Sequence, residues 1–265
     1  MKARTFYDLM KSTPDSFTYI AGPCAVESEE QIVSAAAFLS SLGVPVLRGG
    51  AFKPRTSPDS FQGLGEAGLK LLARARDETG MLVVTEAMDI DHLALVAEYA
   101  DIIQIGSRNS QNFELLRRVG RMDKPVLLKR GFGNTLDEFV NSAKYISNEG
   151  NQMIILVERG IRTFEQSTRF TLDISAVPVL KERVNFPVIV DPSHPAGKAR
   201  YVKPLALAAA AVGAMGLMIE VHPDPASAKS DSEQQLNFRQ FSELKGEVDA
   251  ILGATGRSIL RFQEA

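Results

Sequence analysis

Three features of the chain predict an α/β fold built as one closed (β/α)8 barrel. There are eight short apolar runs rich in β-branched residues, each is followed by a segment of helical periodicity, and the length is 265 residues. A barrel of this kind occupies roughly 250 residues. The runs lie at 18–21, 44–47, 82–85, 102–105, 126–128, 153–157, 188–190 and 217–219. Continuous apolar runs of this length suit strands buried on both faces, the habit of parallel sheets. Right-handed crossovers turn such an alternation into an open doubly wound sheet or a barrel, and eight units of roughly 30 residues favour closure.

The intervening helices have readable ends. Ser28-Glu29-Glu30-Gln31 is a capping box opening a helix that stops at Gly43, and Gly80 ends the helix carrying Leu69, Leu72 and Ala73. Thr135-Leu136-Asp137-Glu138 opens another that stops near Gly150. Segments 89–99, 113–119, 176–183, 201–212 and 236–252 supply the rest. The expected organisation is a single-domain TIM barrel over 18–265 with a short N-terminal extension, 1–17, and no fused regulatory domain. The extension and the stretch after Gly253 are expected to cover the barrel end or act as contact arms.

Composition narrows the class of function. Hydrophobic residues at 45% and charged residues at 23% suit a folded globular core, and a net charge of −2 argues against a nucleic-acid partner. The single cysteine, Cys24, allows no intramolecular disulfide. The N-terminus has no signal-peptide apolar core, and the longest uncharged apolar run, 205–219, is too short to span a membrane. A soluble cytoplasmic protein is expected.

Nearly every predicted strand ends in a residue able to do chemistry. Cys24 and Glu27 follow the first, Arg48 the second, Glu86 the third, and Arg108 with Asn109 the fourth. Lys129-Arg130, Glu158-Arg159, Asp191 with His194, and Glu220 with His222 follow the remaining four. In a barrel these positions share the C-terminal rim, where barrel active sites lie. The second rim segment, Arg48 through Pro58, joins glycines, prolines, hydroxyls and the cations Arg48, Lys53 and Arg55 in a stiff stretch suited to phosphate or carboxylate. With Arg108, Lys129 and Arg159 the cations number six in a slightly acidic protein, which calls for a polyanionic ligand. There is no G-x-x-x-x-G-K-[ST] loop and no G-x-G-x-x-G after the first strand, so nucleotides are disfavoured.

Cys24, His194, Glu220 and Asp231 are potential metal ligands on that rim, but their spacing is too long to be a metal motif by itself, and from spacing alone a structural role wins. The mixed S, N and O set suits manganese, iron, cobalt or zinc. Lys129 could serve as a Schiff-base nucleophile, although neighbouring Arg130 and anionic ligands favour a charged clamp.

Six ordered motifs carry a resemblance that covers nearly the whole chain. They are Gly22-Pro23-Cys24-Ala25-Val26-Glu27-Ser28, the Arg48 to Pro58 stretch, the segment from Ile105 to Phe113, Glu158-Arg159-Gly160, the segment from Asp191 to Gly197, and Glu220-Val221-His222-Pro223. In these the chain resembles the type Iβ 3-deoxy-D-arabino-heptulosonate 7-phosphate (DAHP) synthases. The resemblance implies a shikimate-pathway transferase that condenses phosphoenolpyruvate with erythrose 4-phosphate and water, releasing phosphate. It implies one divalent metal ion, Mn2+, Fe2+, Co2+ or Zn2+, held by Cys24, His194, Glu220 and Asp231. Arg108, Lys129 and Arg159, joined by Arg48 and Lys53, would clamp phosphoenolpyruvate. Lys53 would also pass a proton, Glu86 would orient water, and Arg55, Thr56 and Ser57 would hold the erythrose phosphate.

A sister family uses arabinose 5-phosphate to make an eight-carbon sugar acid phosphate. Its members insert an asparagine ahead of the arginine, where this chain reads Lys53-Pro54-Arg55-Thr56-Ser57. Pro54 therefore marks the four-carbon acceptor, and Cys24, asparagine in metal-independent sisters, marks metal dependence. A non-enzyme alternative, a catalytically inactive sugar-phosphate-binding barrel, predicts damaged ligands, and all four are intact. The resemblance further implies a homotetramer or homodimer, with feedback control, if any, coming from a separate regulatory protein.

Overall fold

The computed structural model describes residues 2–53, 57 and 59–260. Strands β1 (Ser16–Gly22), β2 (Val46–Arg48), β3 (Leu82–Glu86), β4 (Ile102–Ile105), β5 (Val126–Lys129), β6 (Ile154–Glu158), β7 (Val188–Val190) and β8 (Gly216–Glu220) pair in parallel with their sequence neighbours. β1 pairs with both β2 and β8, in parallel, which closes the barrel. Helices α2 (Glu29–Ser41), α3 (Glu66–Thr79), α4 (Ile90–Tyr99), α5 (Phe113–Gly120), α6 (Leu136–Ser147), α7 (Ala176–Arg183), α9 (Ala199–Ala211) and α10 (Phe238–Ala254) form the outer ring, and the single turn α8 (Ser193–Ala196) follows β7. The expected (β/α)8 architecture is therefore present.

Alternate residues of each strand serve two cores, as the period of two requires. Ile20, Val46, Val84, Leu127, Ile155 and Met218 fill the barrel interior, while Ala21, Leu47, Val83, Leu128 and Leu156 pack outward against the helices. The interior layer is completed from the N-terminal end by a helix the sequence did not announce, α1 (Lys2–Ser12), whose Phe6, Tyr7 and Met10 are buried in it. A short strand, β9 (Ser258–Ile259), pairs with Ser16 and Phe17 of β1 at the same end.

Several boundaries shift for local reasons. β2 begins at Val46 because Pro45 has no N–H to give to a ladder. Ser28 Oγ accepts from Gln31 N at 3.1 Å, but the return half of the capping box is missing. The Gln31 side chain instead bonds Ala25 O and Glu27 N. Strands β3, β5, β6 and β8 each run one residue past their apolar run, so Glu86, Lys129, Glu158 and Glu220 sit in the ladder with their backbones fixed. A rigid backbone is what a site needs to hold its groups to sub-ångström tolerance.

Candidate active site

Gly22 ends β1 with φ 149°, and a Cβ there would stand 2.0 Å from Arg48 O. Only glycine lets β1 and β2 approach so closely, and the chain then turns Pro23 and Cys24 over the barrel mouth. Cys24 is fixed by reciprocal backbone contacts with the β2 loop, Gly50 N donating to Cys24 O at 3.2 Å, and its own N–H donates to Gln235 Oε1 at 2.9 Å. It is fully buried.

Cys24 meets Glu220 and Asp231 there, their ligand atoms all within 4.8 Å of one another. Cys24 Sγ donates to Asp231 Oδ2 at 3.2 Å, and Lys53 Nζ donates to Sγ at 3.0 Å. Glu220 accepts from Arg48 Nη1 at 2.9 Å and from Gln234 Nε2 at 2.6 Å. His194 is not part of the tight group, but its Nε2 lies 3.5 Å from Glu220 Oε1 and its Nδ1 lies 2.7 Å from Asp191 Oδ2. Asp231 has φ 47°, the one positive value at a non-glycine among the described residues, and such backbone strain gathers at functional sites.

The electrostatics of this cluster fit a dication. Burial, with help from Glu220 and Asp231, pushes the Cys24 thiol up to about 12. Against the cost of burial, His194, Arg48 and Lys53 hold the Glu220 carboxyl below its usual range, and His194, Arg169 and Lys53 do the same for Asp231. Burial pushes His194 down, towards the neutral imidazole that ligates metals. Two carboxylates and a thiol pressed together, with an imidazole nitrogen beside them, form a mixed S, N and O donor set that could hold a borderline divalent metal.

Beside this cluster opens a cavity of about 510 Å³, lined by Arg48, Lys53, Ser57, Glu86, Arg108, Lys129, Arg159, His194 and Asp231. The structure thus brings together most of the residues picked from the sequence. Pro54, Arg55 and Thr56 lie outside the described residues. Lys129, although burial pushes its pKa down, donates to Asp191 Oδ2 at 2.5 Å, and an ammonium so paired is a poor amine nucleophile. Glu86 accepts from Gln104 Nε2 at 2.9 Å. A Cβ at Gly106 would stand 2.1 Å from Glu86 Oε1, so Gly106→Ala is expected to displace that carboxylate and lower kcat about tenfold or more. Steady-state kinetics with a parallel melting curve check this.

Sequence reading missed part of the site. Arg162, Arg169, Phe132 and Phe170 also line the cavity, from the loops after β5 and β6. Arg169 donates to Asp231 Oδ1 at 3.2 Å and Gln234 Oε1 at 2.9 Å. The run Arg159-Gly160-Ile161-Arg162 was a visible signal, since a turn at Gly160 (φ 86°) brings both arginines to one mouth. Two strand-end residues fall away from the chemistry. Arg130 donates to Glu158 and Asp173, both at 2.8 Å, and Glu27 accepts from Lys229 N at 2.9 Å, so these tie loops together. No described helix is long and apolar enough to cross a membrane.

A family model described as the DAHP synthetase I family matches residues 3–252. The chain belongs to the DAHP synthetase I family. It is 60% identical over 240 residues to the phospho-2-dehydro-3-deoxyheptonate aldolase of Thermotoga maritima, which covers 91% of this chain and 71% of that one. The crystal structure of that aldolase, also titled DAHP synthase, superposes with a TM-score of 0.90 at 57% identity, over 92% of this chain and 71% of the other. A truncated form of the Thermotoga maritima synthase gives 0.87 at 55% identity, over 92% and 90% of the two chains. The 2-dehydro-3-deoxyphosphooctonate aldolase of Magnetococcus marinus is more distant, 32% identical over 252 residues, 88% of this chain and 87% of that one. Within the DAHP synthetase I family, then, this chain lies much nearer the seven-carbon than the eight-carbon enzymes.

Proposed function

We propose that this protein condenses phosphoenolpyruvate with D-erythrose 4-phosphate and water to give DAHP and inorganic phosphate, the entry step of the shikimate pathway. The observation that carries the reading is a cavity with two sides. One side borders the Cys24, Glu220 and Asp231 cluster, which reaches it through Asp231 and the neighbouring His194. The other holds Arg108, Arg159 and Arg162, which have no carboxylate within ion-pair distance among the described residues, so their charge is free for an anionic ligand.

Cys24, His194, Glu220 and Asp231 are proposed to hold one divalent ion, manganese, iron, cobalt or zinc, which when bound supplies Lewis-acid polarisation of the acceptor aldehyde. Arg159, Arg108 and Lys129 hold the phosphate and carboxylate of phosphoenolpyruvate with C3 facing the aldehyde carbon. Arg48 is already engaged with Glu220, so it both steadies that carboxylate and adds positive potential behind the donor. As the C3–C1 bond forms, the aldehyde oxygen gains charge, and Lys53, whose ammonium is kept charged against burial by the carboxylates of Glu220 and Asp231, gives it a proton. Glu86 orients the water that adds at C2, after which the C2–O bond to phosphate breaks. Ser57, with Arg55 and Thr56, holds the phosphate of erythrose 4-phosphate. Alignment and charge stabilisation are each worth several powers of ten.

The same proposal includes a homodimer or homotetramer in the cytoplasm, which analytical ultracentrifugation and fractionation test. The central experiment measures phosphate release from phosphoenolpyruvate with erythrose 4-phosphate or arabinose 5-phosphate, before and after chelation. The expected result is turnover with the four-carbon sugar that stops on chelation and returns with Mn2+ or Co2+. Preference for arabinose 5-phosphate, or indifference to chelation, overturns it.

A further inference from the structure

Two arginines on neighbouring positions of the fold are held in opposite ways. Arg130 is neutralised by two carboxylates, Glu158 and Asp173. Arg159, at the end of β6, is as deeply buried but faces rings instead. Its guanidinium carbon lies 4.2 Å from the centroid of Phe170 and 5.1 Å from that of Phe132. Among the described residues its only hydrogen bond is a long one, 3.5 Å, to Gly160 O, and its buried Nε has no partner. Phe132 also carries Arg108 at 5.6 Å and Arg162 at 5.2 Å.

The two rings form a unit. Their centroids are 5.3 Å apart and their planes differ by 6°. The unit is fixed at both ends by backbone, Arg162 N donating to Phe132 O at 2.7 Å and Phe170 N to Pro195 O at 3.2 Å. Gly160 makes room for it, since a Cβ there would stand 2.9 Å from Phe170 Cβ and 2.8 Å from Pro195 Cβ.

We propose that Phe132 and Phe170 are positioning residues that cradle the guanidinium of Arg159, and that Phe132 likewise supports those of Arg108 and Arg162, so that their N–H groups stay available to the anionic groups of the enol donor. This rests on the reading of the cavity as a phosphoenolpyruvate site. The physical reason is the difference between the two kinds of partner. A carboxylate would stabilise a buried guanidinium by taking its donors and cancelling its charge, which would leave nothing for a ligand. An aromatic face attracts the cation through its quadrupole and takes no N–H. Burial lowers Arg159 only to about 10, with Asp191 and Glu158 acting from beyond contact distance, so the cation persists at neutral pH with its donors unclaimed. Phe132 and Phe170 are themselves half-buried, so replacing either leaves the barrel core intact.

The test compares Phe132→Leu, Phe170→Leu, Phe132→Tyr and Arg159→Met with the parent enzyme, using calorimetric titration with phosphoenolpyruvate and steady-state kinetics for both substrates. Each leucine variant is expected to raise Kd and KM for phosphoenolpyruvate about tenfold, with kcat and the KM for erythrose 4-phosphate within about threefold of the parent. Phe132→Tyr, which restores a ring face, is expected to bind like the parent. If Arg159→Met loses phosphoenolpyruvate binding while both leucine variants keep it, the cradle is refuted and the phosphoenolpyruvate site stands. If Arg159→Met binds as well as the parent, the site assignment fails and the cradle with it. A KM for erythrose 4-phosphate that rises as much as that for phosphoenolpyruvate also overturns the cradle, since it would mean general loosening of the rim.

Discussion

Cys24→Ala is expected to reduce turnover by about a thousandfold or more, equivalent to several kcal/mol of lost transition-state stabilisation. The size follows from where the thiol sits. Its Sγ touches Lys53 Nζ at 3.0 Å and Asp231 Oδ2 at 3.2 Å, and its backbone is clamped by Gly50 and Gln235. Removing the sulfur leaves the carboxylates of Glu220 and Asp231 with one ligand fewer to share an ion and takes a proton partner from Lys53. The loss is expected in two independent readouts. Metal stoichiometry after dialysis falls, and the sulfur-to-cobalt charge-transfer absorption of the Co2+-loaded parent is missing from the variant. Cys24→Ser, which keeps a smaller oxygen ligand, is expected to fall between the two. Parent-like turnover together with parent-like metal content in Cys24→Ala would remove Cys24 from the ligand set.

Most of this site was legible because its residues stand at strand ends, where a parallel barrel makes sequence position and spatial position nearly the same thing. Arg48, Glu86, Arg108, Lys129, Arg159 and Glu220 fall on one rim by sequence position alone, since each closes or follows an apolar run. Phe132, Arg162, Phe170 and Arg169 do not, because they lie in loops whose path is set by tertiary contacts. The antiparallel bridge between Ile161 and Thr171 and the bond from Arg162 N to Phe132 O turn those side chains inward. Nothing in local periodicity encodes either contact. Gln234 and Gln235 escaped notice for a different reason. As neutral amides they carry no chemical signature, and their importance appears only when Glu220 and Cys24 N are seen to be their partners. The cluster of Cys24, Glu220 and Asp231 falls between these cases, with legible residue types, unreadable spacing, and a meeting point that β1, β8 and the loop to Asp231 create jointly.

The N-terminal segment is the largest element that periodicity alone left undefined, and Phe6→Ala tests its role. Phe6 has no exposed surface and packs with Met10, Ile20, Val84 and Met218 in the barrel's interior layer. Deleting a fully buried phenyl ring in such a place costs about 3–5 kcal/mol, from the lost transfer energy and the cavity left behind. In a chain of 265 residues that corresponds to a fall in Tm on the order of 5–10 °C. Tyr7→Phe should cost only about 1 kcal/mol, because it keeps the ring and loses the hydroxyl, whose bond to Gln152 O is 2.7 Å long. Both changes sit at the opposite end of the barrel from the rim, so kcat at temperatures well below the transition is expected to stay within about twofold of the parent for each. If Phe6→Ala melts within a degree or two of the parent, α1 is an appendage resting on a core that is already closed. A full loss means that α1 completes the barrel's interior, and that removing residues 2–12 would unseat strands whose far ends border the candidate site.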